Sequence, residues 1–465
     1  MFARRTAWTT AVATVFSLAS HAAFAADGDP YSGWGFLGSG RTIVQHDDGP
    51  SLTDIAADAV VGPDGSLYTA ATVQDAQGKQ RIGVSKLTPQ GALDTNFSGD
   101  GKNLSIETDV VATAIALTSD NSVLVAGYKT GNGTDTDMIV CRFFASNGAN
   151  RNFPSPISDP CVKLTSFPGT QDYARDIVVQ PDGKFVIAGT IAVNTTSDRY
   201  AAFARFQANG QPDTGFGTLQ GSNIALIRNS AIFTAHDIRS VALASNGKIV
   251  GAGTTKVVNS PDSSGLLVRL NTDGTQDPLA PTQEYTFAAD GSENLDTIVR
   301  DVVLVDTADA EDDAYVAGYI DISGGRKAGI VAKLRRSNNL NNDFGPGNEG
   351  FAISSVANAN IEYVKLMRRA GDGFFVLGLR NDTDIGDFDV RSLSADGRAS
   401  LSFGSGGFAR VDFGLAGQID IPVAIGFGAG GLIVSGYSYL SGTNYDVVAA
   451  KLQYDRIFAH DFGDF

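Results

Sequence analysis

One short apolar phrase, a strand-like run closing on a pair of small residues, recurs seven times along the chain. It stands as Ser66–Ala71, Ser122–Gly127, Lys184–Gly189, Lys248–Gly253, Ala314–Gly318, Phe374–Gly378 and Leu432–Gly436. The closing residues follow one another at steps of 56, 62, 64, 65, 60 and 58 positions. A period of that kind marks an array of supersecondary units, none of which can bury both faces alone. It overrides the expectation of two or three separate domains that 465 residues otherwise raise.

Each unit reads as four strands. A first run such as Asp58–Val61, Asp176–Val179 or Ser240–Leu243 leads into Pro63-Asp64-Gly65, Pro181-Asp182-Gly183 or Ser245-Asn246-Gly247. Asp-Gly and Asn-Gly between β-rich runs are hairpin signals, because glycine accepts the positive φ of such turns. The recurring phrase is the second strand. The third is Ile82–Leu87, Met138–Phe143, Ala201–Phe206, Leu266–Leu270, Ile330–Leu334, Asp389–Leu393 and Val447–Leu452, and a fourth follows a Phe-Gly or Phe-x-Gly corner, as in Lys102–Ile106, Asn223–Ile227 and Phe408–Phe413. Runs that are apolar at consecutive positions, such as Ile177-Val178-Val179, belong to strands covered on both faces. The expected fold is all-β, a seven-bladed β-propeller of four-stranded antiparallel blades.

The chain ends give the register. Ten positions separate the last apolar residue of strand three from the corner aromatic at Leu87 to Phe97, Phe143 to Phe153, Phe206 to Phe216, Leu334 to Phe344 and Leu393 to Phe403. The same count runs from Leu452 to Phe462, three residues before the last. The missing fourth strand of blade seven is expected at the other end, where Phe36–Val44 matches Phe97–Ser105 in pattern. Arg41–Val44 should therefore pair with Val447–Leu452 and remove the open edge of the array.

The unit as a whole, with its Gln-Pro-Asp-Gly-Lys turn, its strand ending in Ala-Gly, and a later Asn-Gly and Phe-Gly, resembles the delta-60 repeat of secreted bacterial proteins. Asp176–Gly189 with Phe203–Gly217 carries the likeness most fully, and it extends over residues 34 to 463. Repeat four departs at Leu279-Ala280, where the corner aromatic is missing, and repeat five replaces the Pro-Asp-Gly turn with Ala310–Asp313. The resemblance implies an extracytoplasmic propeller that works by interaction and carries no defined catalytic motif. Ile457–Phe462 is also similar to a short C-terminal motif of some secreted bacterial proteins, from which it departs at His460 and Asp461. That segment is open to two readings, a sorting signal or the last corner.

Compartment follows from the N-terminus. Arg4 and Arg5, an apolar core over Ala11–Ser20 and the small residues of Ala23-Phe24-Ala25 read as a cleaved secretory leader, residues 1–25, ahead of a single propeller domain, 27–465. The expected location is secreted, periplasmic or extracellular. No stretch reaches the ~20 apolar residues of a membrane span. With 35 basic against 51 acidic residues the net charge is −16, which argues against nucleic acid as a partner. The unknown ligand is expected to be a protein or a glycan, and the chain itself a monomer.

Several residues invite chemistry. Strand three carries a base before its last apolar position at Lys86, Arg142, Arg205, Arg269, Lys333 and Lys451, with Ser392 the exception. Half-buried bases need partners, and the expected ones are the strand-one acids Asp58, Asp176 and Asp301 or turn carbonyls. His46, His236 and His460 lie too far apart in the array to share a zinc ion. Asp382, Asp384, Asp387 and Asp389 alternate in one loop of blade six, as Asp135 and Asp137 do in blade two. They are the weak candidates for calcium, the single metal or cofactor considered. Cys141 and Cys161 fall on adjacent antiparallel strands in a compartment that favours disulfides, so they are expected to bridge. No Gly-x-Ser-x-Gly elbow is present, and Gly426–Gly431 lacks the Lys-Ser/Thr of a phosphate loop.

With no catalytic set visible, the leading expectation is a non-enzymatic secreted or envelope-associated binding or scaffold propeller. The alternative is a propeller hydrolase or lyase acting on extracellular polysaccharide from the central channel. Carboxylates converging there with raised pKa would favour the second.

Overall fold

The inner strands of seven sheets stand side by side around one axis, and each sheet runs outward from it in sequence order. The structure is a computed structural model and describes residues 28–46, 53–131, 135–164, 170–192, 199–219, 221–227, 233–257, 262–287, 296–306, 312–369, 373–382, 385–413, 419–428, 430–441 and 444–454. Blade one is Asp54–Val61, Leu67–Gln74, Gln80–Leu87 and Lys102–Leu104; blade two is Val110–Leu117, Ser122–Thr130, Thr136–Phe144 and Cys161–Leu164. Blade three is Asp172–Val179, Phe185–Ala192, Arg199–Phe206 and Ile224–Ile227; blade four is Phe233–Leu243, Ile249–Val257, Ser263–Leu270 and Gln283–Tyr285. Thr297–Val305, Asp313–Ile322, Arg326–Leu334 and Phe351–Ser354 make blade five; Ala359–Arg368, Gly373–Asp382, Ile385–Ser394 and Phe408–Val411 make blade six. Asp420–Gly428, Gly431–Ser441 and Asn444–Gln453 are the chain's own share of blade seven.

Arg41–Val44 completes that last blade, with Arg41 opposite Ala450 and Val44 opposite Val447. The ring is closed by pairing the two ends of the chain, and the edge that would template aggregation is gone. Cores lie between blades. Phe153, Phe185 and Phe206 stack where blades two and three meet, and Tyr315, Phe344 and Phe374 meet edge-on or tilted between blades five and six. A blade's two faces are buried by its neighbours, which is why its second strand is buried at consecutive positions rather than at alternate ones.

The corner of blade seven differs from the sequence expectation by two residues. Trp34, not Phe36, takes the corner: it is 1 % exposed, and the next amide, Gly35 N–H, donates to Gln90 O as Ser98 N–H donates to Asn147 O in blade one. Gly40 and Gly101 then occupy matching rungs, their carbonyls accepting from Lys451 N–H and Lys86 N–H. Five residues link Trp34 to Gly40 where three link Phe97 to Gly101, so Phe36-Leu37 is an insertion, and both side chains are exposed. Pattern matching aligned the wrong aromatic because the register is set by the backbone rungs, not by the nearest phenylalanine. Tyr31 N–H bonds Lys451 O just as Asp94 N–H bonds Lys86 O, so the N-terminal segment fills the whole turn of blade seven. Phe462, His460 and the leader lie outside the described residues.

Cys141 and Cys161 face each other across strands three and four of blade two, with Cα atoms 4.1 Å apart and the sulfurs bonded at 2.09 Å. Among the described residues no helix is long and apolar enough to cross a membrane.

Candidate active site in the central channel

Every first strand breaks its ladder at a matching bulge, falling between Ala56 and Asp58, Ala112 and Ala114, Ala174 and Asp176, Ile238 and Ser240, Val299 and Asp301, Tyr363 and Lys365, and Pro422 and Ala424, and blade four breaks once more between Phe233 and Ala235. A bulge re-aims side chains and bends the strand. Here it turns the next residue of most blades toward the axis, so that Asp58, Asp176, Ser240, Asp301, Lys365 and Ala424 line one channel cavity of about 240 Å³.

The carboxylates are held by the following blade. Asp58 Oδ2 accepts from the Ile115 N–H at 3.3 Å, Asp176 Oδ2 from Val241 N–H at 2.7 Å, and Asp301 Oδ2 from Leu366 N–H at 2.7 Å. In each case the donor follows the bulge of the next blade, so odd-numbered blades one, three and five hook their successors. Asp301 Oδ1 also accepts the Ser240 hydroxyl at 2.8 Å. Lys365, from blade six, carries its Nζ 3.7 Å from Asp58 Oδ1.

Electrostatics follow from this crowding in a desolvated space. Burial pushes the Asp58 carboxyl up to about 6, against the pull of Lys365 and with Asp176 adding to the rise. Burial likewise raises Asp301, again opposed by Lys365. Burial works to lower the Lys365 ammonium, but Asp58, Asp301 and Asp176 together overcome it and hold the group charged, above the ordinary lysine range. The site thus contains a carboxylic acid that exchanges its proton near neutral pH, further carboxylates, and one fixed cation.

The strand-one acids are therefore not the partners of the strand-three bases. Those bases are met by acids of turns or of a strand's first residue: Lys86 by Asp94 at 3.0 Å, Arg205 by Asp213 at 2.8 Å, Lys333 by Asp313 at 3.1 Å, and Arg142 by Asp120. Arg269 donates to Asn338 Oδ1 at 2.9 Å, and Lys451 stands over the Tyr31 ring. In blade six, where Ser392 replaces the base, Arg369 reaches in and donates to its hydroxyl at 3.0 Å. The ring of bases is a structural feature of the blade edge.

The loop acids of blade six are turned to arginines. Asp382 pairs with Arg380 at 2.8 Å, Asp389 with Arg391 at 2.6 Å, and Asp387 with Arg410, while Asp384 lies outside the described residues. Asp387 groups instead with Asp412 and Asp420, their oxygens within 4.8 Å of one another. Asp420 spends both oxygens on Ser438 and on the Phe413 N–H. His46 and His236 are both buried. Lys365, Ser240 and the bulge arginines described below escaped sequence reasoning. The signal was there: aligned on the bulge, one column reads Asp58, Ala114, Asp176, Ser240, Asp301, Lys365 and Ala424.

Residues 62–97, 180–216 and 244–279 match the family described as "Domain of unknown function (DUF5122) beta-propeller", so the chain carries β-propeller repeats of that kind. No curated protein matches the sequence. Among solved structures, Trypanosoma rangeli sialidase in complex with the inhibitor DANA is similar at 9 % identity and a TM-score of 0.40, over 89 % of this chain and 59 % of that one. A glucose dehydrogenase is similar at 11 % and 0.40, over 89 % and 100 % of the two chains. The GH43_1 enzyme from Xanthomonas citri complexed with xylose is similar at 11 % and 0.32, over 86 % and 87 %. The likeness concerns the fold, and the chain spans little more than half the length of the sialidase.

The expectation of a non-enzymatic binding or scaffold protein is corrected. The channel holds the feature set out above as favouring an enzyme, converging carboxylates with raised pKa, and a second acidic group stands at Asp387, Asp412 and Asp420. Sequence reading missed this because each acid sits in a different repeat and none forms a local motif.

Proposed function

We propose that the protein is an extracytoplasmic hydrolase of polysaccharide, built of delta-60-type repeats, with its chemistry in the central channel. The reading rests on one observation: Asp58, Asp176 and Asp301 converge on Lys365 across the axis, with the Asp58 proton poised near neutral pH. Glycosidic bond cleavage asks for two carboxyl groups in different protonation states. Asp58 donates its proton to the leaving oxygen as the C–O bond breaks. Asp176 accepts the proton of the water whose oxygen joins the anomeric carbon. Lys365 keeps the cluster's remaining charge compensated and orients Asp58, while Asp301 positions Ser240 and the blade-six strand beside it. The leader over residues 1–25 and a single domain over 27–465 complete the proposal, and N-terminal sequencing of exported protein that begins near Ala26 or Asp27 is the outcome expected.

The test is release of new reducing ends from a panel of plant, algal and bacterial polysaccharides. Asp58→Asn keeps an oxygen for the Ile115 amide and should remain folded while losing about 10²–10⁴-fold in rate. Cleavage that survives in both Asp58→Asn and Asp176→Asn, or no cleavage across the panel, overturns the reading.

A further inference from the structure

The unpaired bulge position itself is occupied by arginine in three consecutive blades: Arg175, Arg239 and Arg300. Each immediately precedes a channel residue, Asp176, Ser240 or Asp301. Their side chains bridge successive inner strands. Arg175 and Arg239 reach one carboxylate, Asp237, at 3.5 and 2.7 Å, and Arg300 and Lys327 reach another, Glu362, at 3.6 and 2.6 Å. Four cations thus share two acids. Asp321 stands near, its carboxyl raised by burial and by Asp296 and drawn back down by Lys327.

The excess is felt by the group. Burial lowers Arg239, and after the opposing pull of Asp237 its neighbours Arg175 and Arg300 lower it further. The Nε of all three arginines makes no hydrogen bond in the structure. Yet the side chains are not sealed: they keep 26 %, 36 % and 34 % of their surface. Aromatic rings stand beside them, Tyr173 under Arg175 at 5.1 Å and Tyr319 under Arg300 and Lys327 at 5.5 and 4.6 Å. A chain of net charge −16 repels anions at a distance, but salt limits that repulsion to ~8–10 Å. Inside that range a partly exposed guanidinium cluster that outnumbers its acids is an anion site, and planar carboxylate or sulfate groups fit its forked geometry.

We infer that Arg175, Arg239 and Arg300 form a subsite for the anionic groups of an acidic glycan, carboxylated or sulfated, on the inner strands whose next residues line the channel. This rests on the hydrolase reading for its setting, but binding tests it separately.

The experiment is titration calorimetry of the full chain with three oligosaccharides of equal length: oligogalacturonate, a sulfated galactan oligomer and a neutral galactan oligomer. The expected result is an affinity for at least one acidic oligomer about tenfold or more above the neutral one, falling steeply with added salt. Which acidic oligomer wins separates carboxylate from sulfate. Arg239→Gln and Arg300→Gln, checked for an unchanged melting temperature, should each abolish most of the preference. Equal binding of acidic and neutral oligomers, absence of binding, or a preference unmoved by both variants overturns the subsite; the salt dependence of the unmodified protein decides the matter if a variant fails to fold. Acidic binding without bond cleavage would instead sink the hydrolase reading alone, and cleavage of neutral glycan without acidic preference would sink the subsite alone.

Discussion

The α-carbon of Gly91 lies flat against the Trp34 indole, so that a Cβ at Gly91 would stand 2.5 Å from the ring. Gly148 holds the same relation to Phe97, its added Cβ also 2.5 Å from the ring. The Trp34 contact joins blade seven to blade one, and so carries the closure of the ring. Gly91 sits at φ +81° as well, where a side chain is strained whatever the space. Gly91→Ala should destabilise the fold by about 1–3 kcal/mol, the range for overpacking. Trp34→Ala should cost about 3–5 kcal/mol, as loss of a large buried aromatic does. Denaturant midpoints measure both, and a Trp34→Ala protein that unfolds with the wild type would show that the closure lies elsewhere.

The Cys141–Cys161 bond closes a sequence separation of 20 residues. Cross-linking a loop of that size restrains the unfolded chain by ~3 kcal/mol. Replacing both residues by serine should lower the denaturant midpoint accordingly without changing the folded ring, because strand three of blade two stays paired on both sides. Mass spectrometry of unreduced protein should find no free thiol at either position. Two free thiols would remove the premise.

The propeller was legible because its signal is repeated seven times and each copy tests the others. Blade count, strand order and the pairing of Arg41–Val44 with the last strand three could be read from spacing alone. Trp34 was not legible as the corner, because a two-residue insertion put Phe36 at the expected count. The channel was hidden for a different reason. A bulge adds one residue to strand one of every blade and flips the alternation, so Asp58, Asp176 and Asp301 look like partners for strand-three bases until the bulge is seen. Lys365 and the three bulge arginines stand one per blade and become a cluster only when the ring closes.

His46 gives the closure an acid limit. Its imidazole is packed against Gly83 of blade one, neither ring nitrogen makes a hydrogen bond, and burial, with Lys102 adding to it, pushes its pKa down to about 3. The folded chain therefore holds this histidine neutral while the unfolded chain protonates it near 6.5. The unfolded state binds the extra proton, so stability is complete above pH 6.5 and is lost progressively as the pH falls from there toward 3. His46→Phe should flatten that part of the stability curve, measured by denaturant midpoint against pH. An unchanged slope in the variant would assign the acid sensitivity to other groups.

Lys365 fixes the working range of Asp58. The lysine stands 3.7 Å away and pulls the Asp58 pKa down, yet burial leaves it at about 6. Lys365→Met removes the pull and keeps the burial, so the Asp58 carboxyl should titrate still higher, as read by carbon NMR of labelled aspartate. The linked stability has a definite sign. A carboxyl raised from 3.8 contributes its full share below pH 3.8 and loses it as the pH climbs through 6, and in Lys365→Met that loss should deepen and extend to higher pH. The variant's rate on polysaccharide should keep its alkaline limb at a higher pH than the wild type's, since the acid form of Asp58 then persists further. If the NMR titration of Asp58 stays at the wild-type value, the lysine does not act on it, and the alkaline limb must be assigned to another group in the channel.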